Sequence, residues 1–373
     1  MKKVSVYIRS LNVSPSGYYR IVQYTNKLDV IVKIHNILPP SYYYWYLNNQ
    51  KFQFLCDVMT YMFMYLRVIC FFIQDILYER NVFILSRGLL PRHFVYPLKN
   101  ILLRMARKGS IYWDFDDDIL LSKEISACEF KMLSEISSAI VVTHEYLKEK
   151  VEQRYWNKVI VMPTTDGDFH LMKFDEKVNE RISKLENEIN LVWVGSAVNL
   201  IHLEQILKPL DYCAEKLYYS YNKKLNLYIC SSRNVEFESK FLNIKNKKWS
   251  KNSAIQIISN SHIGLMPLID TEYAQGKGGF KLIQYMAAGL PVISSNVGFN
   301  KSIVKDNFGR LIQDITDSES WLNALLQLSL DTITYRKFSC NSLQEWKNNY
   351  SYMNNLKIWS SLLESSIKFS VNK

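Results

Sequence analysis

Along the chain, short runs of adjacent apolar residues alternate with longer stretches whose apolar positions recur at helical spacing. The short runs predict strands at Val4–Ile8, Val30–Ile34, Val82–Leu85, Ser110–Trp113, Ala139–Thr143 and Lys158–Met162. Stretches of helical length lie between them, at Tyr18–Leu28, Lys51–Ile73 and Tyr96–Arg107. This βαβα rhythm predicts a parallel sheet covered on both faces. The rhythm pauses over residues 166–188, which are polar and charged with a helix-like end, and an interdomain connection is placed there.

A second series then begins, with strands expected at Leu191–Val194, Leu225–Ile229, His262–Leu265, Val292–Ser294 and Arg310–Ile312, and helices between them that include Leu200–Leu210. Beyond Asp331 the pattern is helical and aromatic (Trp346, Tyr350, Tyr352, Trp359) with no further strand. The expected architecture is α/β: two doubly wound, Rossmann-like domains, residues 1–188 and 189–345, with a C-terminal helix (346–373) packing back on the first. A length of 373 residues fits this reading, since one ordinary core does not grow so large.

Lys and Arg outnumber Asp and Glu by 46 to 35, a formal charge of +11, which favours an anionic partner. The excess is spread along the chain, with no dense basic run interleaved with aromatics, so nucleic acid is not an expected partner. The 6 cysteines show no C-x-x-C spacing and read as buried thiols of a reducing compartment. Met1-Lys2-Lys3 precedes only a short apolar run broken by Arg9, so a cytoplasmic protein is expected. The longest apolar run, Val58–Ile73, is short for a membrane span and contains Arg67; it reads as a core helix or, with the aromatic stretch Tyr42–Tyr46, as a peripheral membrane contact.

Candidate chemistry concentrates where strands end. The stretch from Gly276 to Ile293 reads as glycine-rich loop, helix, stop and strand. Lys281 and Gln284 share a helix face with Lys277 just before it, and two ammonium groups beside the N–H groups of a helix N-terminus suit a diphosphate. The alternative is an amphipathic helix with two solvated lysines. Gly195-Ser196 and Ser16-Gly17, each before a helix, are further phosphate or substrate turns. Asp114, Asp116, Asp117 and Asp118 crowd four carboxylates at one strand end, beyond what a helix cap requires; they could hold a divalent metal, accept a proton or grip sugar hydroxyls. The six histidines lack metal-ligand spacing and read as mostly structural.

The segments Leu191-Val192-Trp193-Val194-Gly195, Ile263–Leu268, Gly276-Lys277-Gly278-Gly279-Phe280-Lys281 and Gln284–Ile293 resemble the nucleotide-sugar domain of the GT-B glycosyltransferases of family 4, and Tyr112–Ile119 resembles the aspartate-rich turn of a bacterial branch of that family. The resemblance implies two domains facing a cleft and a retaining sugar transfer in bacterial surface polysaccharide or glycoconjugate synthesis. The implied donor is a nucleoside-diphosphate sugar and the acceptor a carbohydrate or lipid-linked molecule, with no cofactor and no metal. Lys277, Lys281, Asp116 and Asp117 are the residues expected to carry catalysis, and Gly195, Ser196, Lys277, Gly278, Gly279, Phe280, Lys281, Gln284 and Gly17 those expected to bind the nucleotide sugar; of these roles the resemblance implies those of Lys277, Lys281 and Gln284. Gly276 and Gln284 stand where members commonly carry glutamates, and an amide at 284 still accepts hydrogen bonds from ribose hydroxyls. Two other readings follow from the same residues: a metal-dependent transferase using Asp114-Phe-Asp116 or Asp116-Asp-Asp118 as a D-x-D site, and a non-catalytic binding or scaffold protein of the same fold.

Overall fold

A computed structural model of the chain describes residues 2–11, 15–42, 45, 53–91, 96–171 and 173–365. The chain forms two compact units, Met1–Thr164 with Met353–Lys373, and Thr165–Tyr352. Each is built on a six-stranded sheet in which every neighbouring pair is parallel.

In the first unit β1 (Lys2–Ile8), β2 (Val30–Asn36), β3 (Val82–Ser86), β4 (Ser110–Phe115), β5 (Ala139–Val142) and β6 (Val159–Val161) run in the order β2-β1-β3-β4-β5-β6. Strands β3, β4 and β5 are buried along their whole length, as expected where helices cover both faces. Helices α1 (Gln53–Leu77), α2 (Tyr96–Lys108) and α3 (Ala127–Ile136) contribute Phe72, Leu102 and Leu133 to one core with Phe83, Trp113 and Ile140 of the sheet.

Helix α1 departs from the simplest reading of its sequence. Cys56, Thr60, Met64, Val68, Phe72 and Asp75 form its buried stripe. The opposite face is also apolar but exposed, with Phe54, Leu55, Met62, Leu66, Ile73 and Leu77 all accessible. Core packing thus accounts for one face only. Arg67, the charge inside the run, turns inward: its guanidinium donates to the carbonyls of Asn36 (2.9 Å) and Ile37 (3.0 Å) and lies over Phe63 and Phe71. Of the aromatic stretch before it, Tyr42 stacks on Phe63 at 4.3 Å between ring centroids. Tyr43, Tyr44 and Tyr46 lie outside the described residues.

In the second unit β7 (Glu188–Val194), β8 (Lys224–Ser231), β9 (Leu242–Lys248), β10 (Ile263–Met266), β11 (Val292–Ser295) and β12 (Gly309–Ile312) are ordered β12-β11-β10-β7-β8-β9. Strand β9 (LNIKNKK) has no counterpart in the sequence-based prediction. It is the sheet edge and mostly exposed, so it carries lysines where a central strand carries valines. The expected helix Leu200–Leu210 is two pieces, Leu200–Glu204 and α5 (Leu207–Tyr221), which ends on Asn222 in the left-handed conformation. Among the cysteines, Cys56, Cys213 and Cys230 are buried as expected, whereas Cys70, Cys128 and Cys340 are exposed.

The unit boundary lies at Thr165, where residue 188 was expected. The reason is helix α4 (Phe174–Leu185), whose buried Arg181 donates to the carbonyls of Ser259 (3.0 Å) and Ala288 (2.8 Å) and so binds the segment to the second sheet. Trp346 likewise stays with this unit through its indole N–H and Thr165 Oγ1 at 3.2 Å. The C-terminal helix, Tyr352–Ser365, packs on the first unit as expected: Trp359 donates to Arg20 O (2.8 Å), and Leu362 O accepts from the Tyr112 hydroxyl (2.6 Å).

Candidate functional site

The order of the second sheet reverses between β7 and β10, and the turns after those two strands are where a parallel sheet holds its ligand. Two sequence-predicted lysines meet there. Lys277 donates to Asn199 Oδ1 at 3.0 Å and lies 4.6 Å from the centre of the Tyr273 ring; Lys281 lies 5.4 Å from the centre of the Trp193 ring. Gly195 makes room for this. A Cβ there would come within 2.6 Å of Trp193 and 2.9 Å of Lys281 Cε, so the missing side chain lets the lysine cross the end of β7. Ser196 is exposed and accepts from the Asn199 amide at 2.8 Å.

Lys281 belongs to α6 (Phe280–Ala287), which starts at Gly279 with a φ of 64° and no side-chain cap. The N–H groups of a first turn have no intrahelical acceptors. This first turn follows Gly278 and Gly279 and lies, with Phe280, at the end of the sheet that carries both ammonium groups, and its dipole favours negative charge there. The helix closes in a Schellman arrangement, Gly289 N to Met286 O (2.9 Å) and Leu290 N to Tyr285 O (2.9 Å), with Gly289 at a φ of 65°. On the next turn of the lysine face, the Gln284 amide donates to Asp166 Oδ2 at 2.8 Å, with both side chains buried. The turn after β11 joins the group through Gly298 N–H, which donates to Gln275 Oε1 at 3.1 Å.

Three residues here carried no distinctive signal in the sequence. Asn199 and His202 are one helical turn apart behind Gly195, and Asp166 lies in the polar stretch read as a connection. His202 Nδ1 accepts from Ile269 N–H at 3.1 Å. Burial, and then the charges of Lys277 and Lys281, push its pKa down to about 4, so at neutral pH it is an uncharged imidazole with its proton on Nε2. Asp166 is pushed up to about 7, first by burial.

The four aspartates at the end of β4 all have cationic partners. Asp114 is buried and receives Arg20 Nε (2.9 Å) and Nη2 (2.7 Å), while Arg20 also reaches Met162 O and Thr164 Oγ1. Arg87 meets Asp116 at 2.9 Å, Asp117 at 3.2 Å and Glu124 at 2.8 Å. Asp118 pairs with Lys150 (3.1 Å) and accepts from Leu121 N–H (2.9 Å). Beyond any helix cap, the acids thus have a structural use that the sequence alone does not show, because each neutralising cation comes from a distant part of the chain. Against the cost of burial, Arg87 and then Arg20 hold the Asp116 carboxyl below its usual range. Asp116 and Asp117 keep 16% and 28% of their side-chain surface exposed and border the reversal between β1 and β3, where Arg9 also bonds Glu124 at 3.1 Å.

At Gly17 the backbone is helical (φ −59°) and a Cβ would meet Ile8 at 2.8 Å, so the glycine permits close packing of helix on strand. Asn12, Val13 and Ser14 of the same turn, and His93, lie outside the described residues.

Residues 176–345, which lie within the second unit, match the family model of the glycosyl transferases group 1. Several solved structures share the fold along the whole chain. Anabaena HepE, solved in complex with UDP, is similar with a TM-score of 0.63 and 10% identity over 98% of this chain and 100% of that one. The UDP-forming α,α-trehalose-phosphate synthase of Burkholderia xenovorans gives 0.64 and 11% over 100% of both chains. The UDP-GlcNAc 2-epimerase of Neisseria meningitidis, bound to UDP-GlcNAc, gives 0.53 and 13% over 98% of this chain and 100% of that one. By sequence, the chain matches none of the curated proteins. The fold is that of the GT-B glycosyltransferases.

Proposed function

We propose that this protein is a retaining glycosyltransferase that moves a sugar from a nucleoside-diphosphate sugar to a carbohydrate or lipid-linked acceptor in bacterial surface polysaccharide or glycoconjugate synthesis. The observation that carries the proposal is the meeting of Lys277, Lys281 and the N-terminus of α6 at the reversal of the second sheet. In such a transfer the bond between the anomeric carbon and the diphosphate oxygen breaks, the acceptor oxygen takes its place, and the acceptor's proton is released. Negative charge then gathers on the departing diphosphate, and two ammonium groups with oriented N–H donors stabilise it where it forms. Neutral His202 keeps a third positive charge from competing with the lysines. The nucleoside would lie along α6 toward Gln284, and UDP is the natural first probe because the similar structures hold it.

Asp116 and Asp117 are proposed to meet the acceptor hydroxyls, since Arg87 pairs with both and part of their surface stays open. No cofactor or metal enters this reading. Arg20 already occupies the Asp114 carboxylate, which leaves the D-x-D alternative with a weaker first ligand. The test is sugar transfer from a panel of labelled nucleotide sugars. Lys281→Ala should lower turnover at least 100-fold with an unchanged circular dichroism spectrum; unchanged turnover would contradict the assignment.

The second reading, a sugar-nucleotide-binding protein without transfer, is favoured by one observation, the amide at 284 in place of a carboxylate. Donor binding without transfer to any member of a broad acceptor panel would support it.

A cytoplasmic protein resting on the inner face of the membrane completes the proposal. The exposed face of α1 carries one exposed charge, Asp57, among its apolar side chains, and α2, which shares its core, presents exposed Arg104, Arg107 and Lys108 with no acidic residue in its length. An apolar face beside basic residues suits an anionic lipid surface.

A further inference from the structure

We infer that Asp166 is a positioning residue for the ribose of the donor: its carboxylate sets the orientation of the Gln284 amide, so that Gln284 offers a carbonyl oxygen to the ligand. The inference rests on the donor site proposed above.

Asp166 is fully buried, and its two oxygens are engaged differently. Oδ1 accepts from the backbone N–H of Asp168 at 2.9 Å, which holds the carboxylate in place. Oδ2 accepts from Gln284 Nε2 at 2.8 Å. Above its pKa of about 7 the carboxylate has no proton to donate, so only the NH2 end of the amide can meet it. Gln284 Oε1 is then left as an acceptor with no partner among the described residues. Gln284 follows Lys281 by one turn of α6, so this acceptor lies on the helix face that carries the lysine. A hydroxyl-bearing ring attached to a diphosphate at the N-terminus of α6 is what such an acceptor fits.

The arrangement also accounts for an amide at this position. A glutamate at 284 would place a second carboxylate about 3 Å from Asp166, and two carboxylates that close cannot both ionise. Burial already lifts the Asp166 carboxyl, which makes a further negative charge beside it still less acceptable. Residues 166 and 284 therefore form a matched pair, one supplying the acceptor and the other the donor.

Calorimetric titration of the full chain at pH 8 with UDP, 2′-deoxy-UDP and inorganic pyrophosphate tests this. The wild type should prefer UDP over 2′-deoxy-UDP by about tenfold, the worth of one well-made hydrogen bond. Asp166→Asn, whose oxygen stays on the Asp168 N–H and whose NH2 then draws Gln284 Oε1 inward, and Asp166→Ser, whose hydroxyl both donates and accepts and so dictates neither orientation, should bring that ratio close to one while pyrophosphate binding stays unchanged. Gln284→Glu should weaken UDP binding about tenfold or more, and Asp166→Asn in the same chain should restore affinity and preference, because the new amide donates to the new carboxylate. A wild-type ratio retained in both Asp166 variants, or strictly additive effects in the double variant, would overturn the inference. Wild-type protein that binds neither UDP nor pyrophosphate would instead remove the donor site itself, and this inference with it.

Discussion

Glu129, in the first turn of α3, makes the stability of the first unit depend on pH. It is buried, and both carboxylate oxygens are without a hydrogen-bond partner among the described residues. Burial pushes its pKa up to about 7. A carboxyl whose folded pKa lies above its unfolded value contributes its full stability below about pH 4.5 and loses it as pH rises through about 7. Glu129→Gln should therefore gain melting temperature relative to wild type between pH 5 and pH 8, and a constant difference across that range would contradict the shift. Arg20 presents the opposite case. Its removal leaves Asp114 buried and unpaired, so Arg20→Ala should cost about 3–5 kcal/mol in urea unfolding. At this scale the sequence was only partly legible. Lys277 and Lys281 are readable because glycines and helical spacing surround them. Arg20, Arg87 and Asp166 are not, because their partners are 94, 29 and 118 residues away and only the fold brings them together.

The elements that could be read from the chain are those whose burial makes them uniformly apolar. Strands β5 and β10 are examples, and the loop-helix-stop pattern from Gly276 to Pro291 appears as written. Those that were missed or misjudged have a split character. Strand β9 is an edge and reads as polar, α1 is apolar on two faces although only one is covered, and α4 reads as a linker because a single buried arginine docks it. The stop of α6 can be tested directly. Gly289 has a φ of 65°, and a Cβ there would sit 2.2 Å from Phe174. Gly289→Ala should destabilise the second unit by at least about 1–2 kcal/mol, read from its denaturation midpoint. An unchanged midpoint would mean that Phe174 moves aside freely and the left-handed backbone costs nothing.

Across the whole molecule, two parallel sheets each gather charged groups where their strand order reverses: acids held by Arg9 and Arg87 in the first unit, and lysines in the second. A formal charge of +11 and the open face of α1 add a route to an anionic surface. Vesicles containing phosphatidylglycerol should pellet the protein at low salt, and Met62→Glu with Leu66→Glu should leave it in the supernatant; equal pelleting of both would rule out this face. The central claim is that the second sheet grips a diphosphate, and calorimetric titration of UDP tests it most directly. Each lysine should contribute about 1.5–3 kcal/mol as a charge-assisted contact. Lys277→Ala with Lys281→Ala should therefore weaken UDP binding by at least 100-fold while the melting temperature of the unliganded protein holds. Equal affinity of the double variant and the wild type would contradict the account.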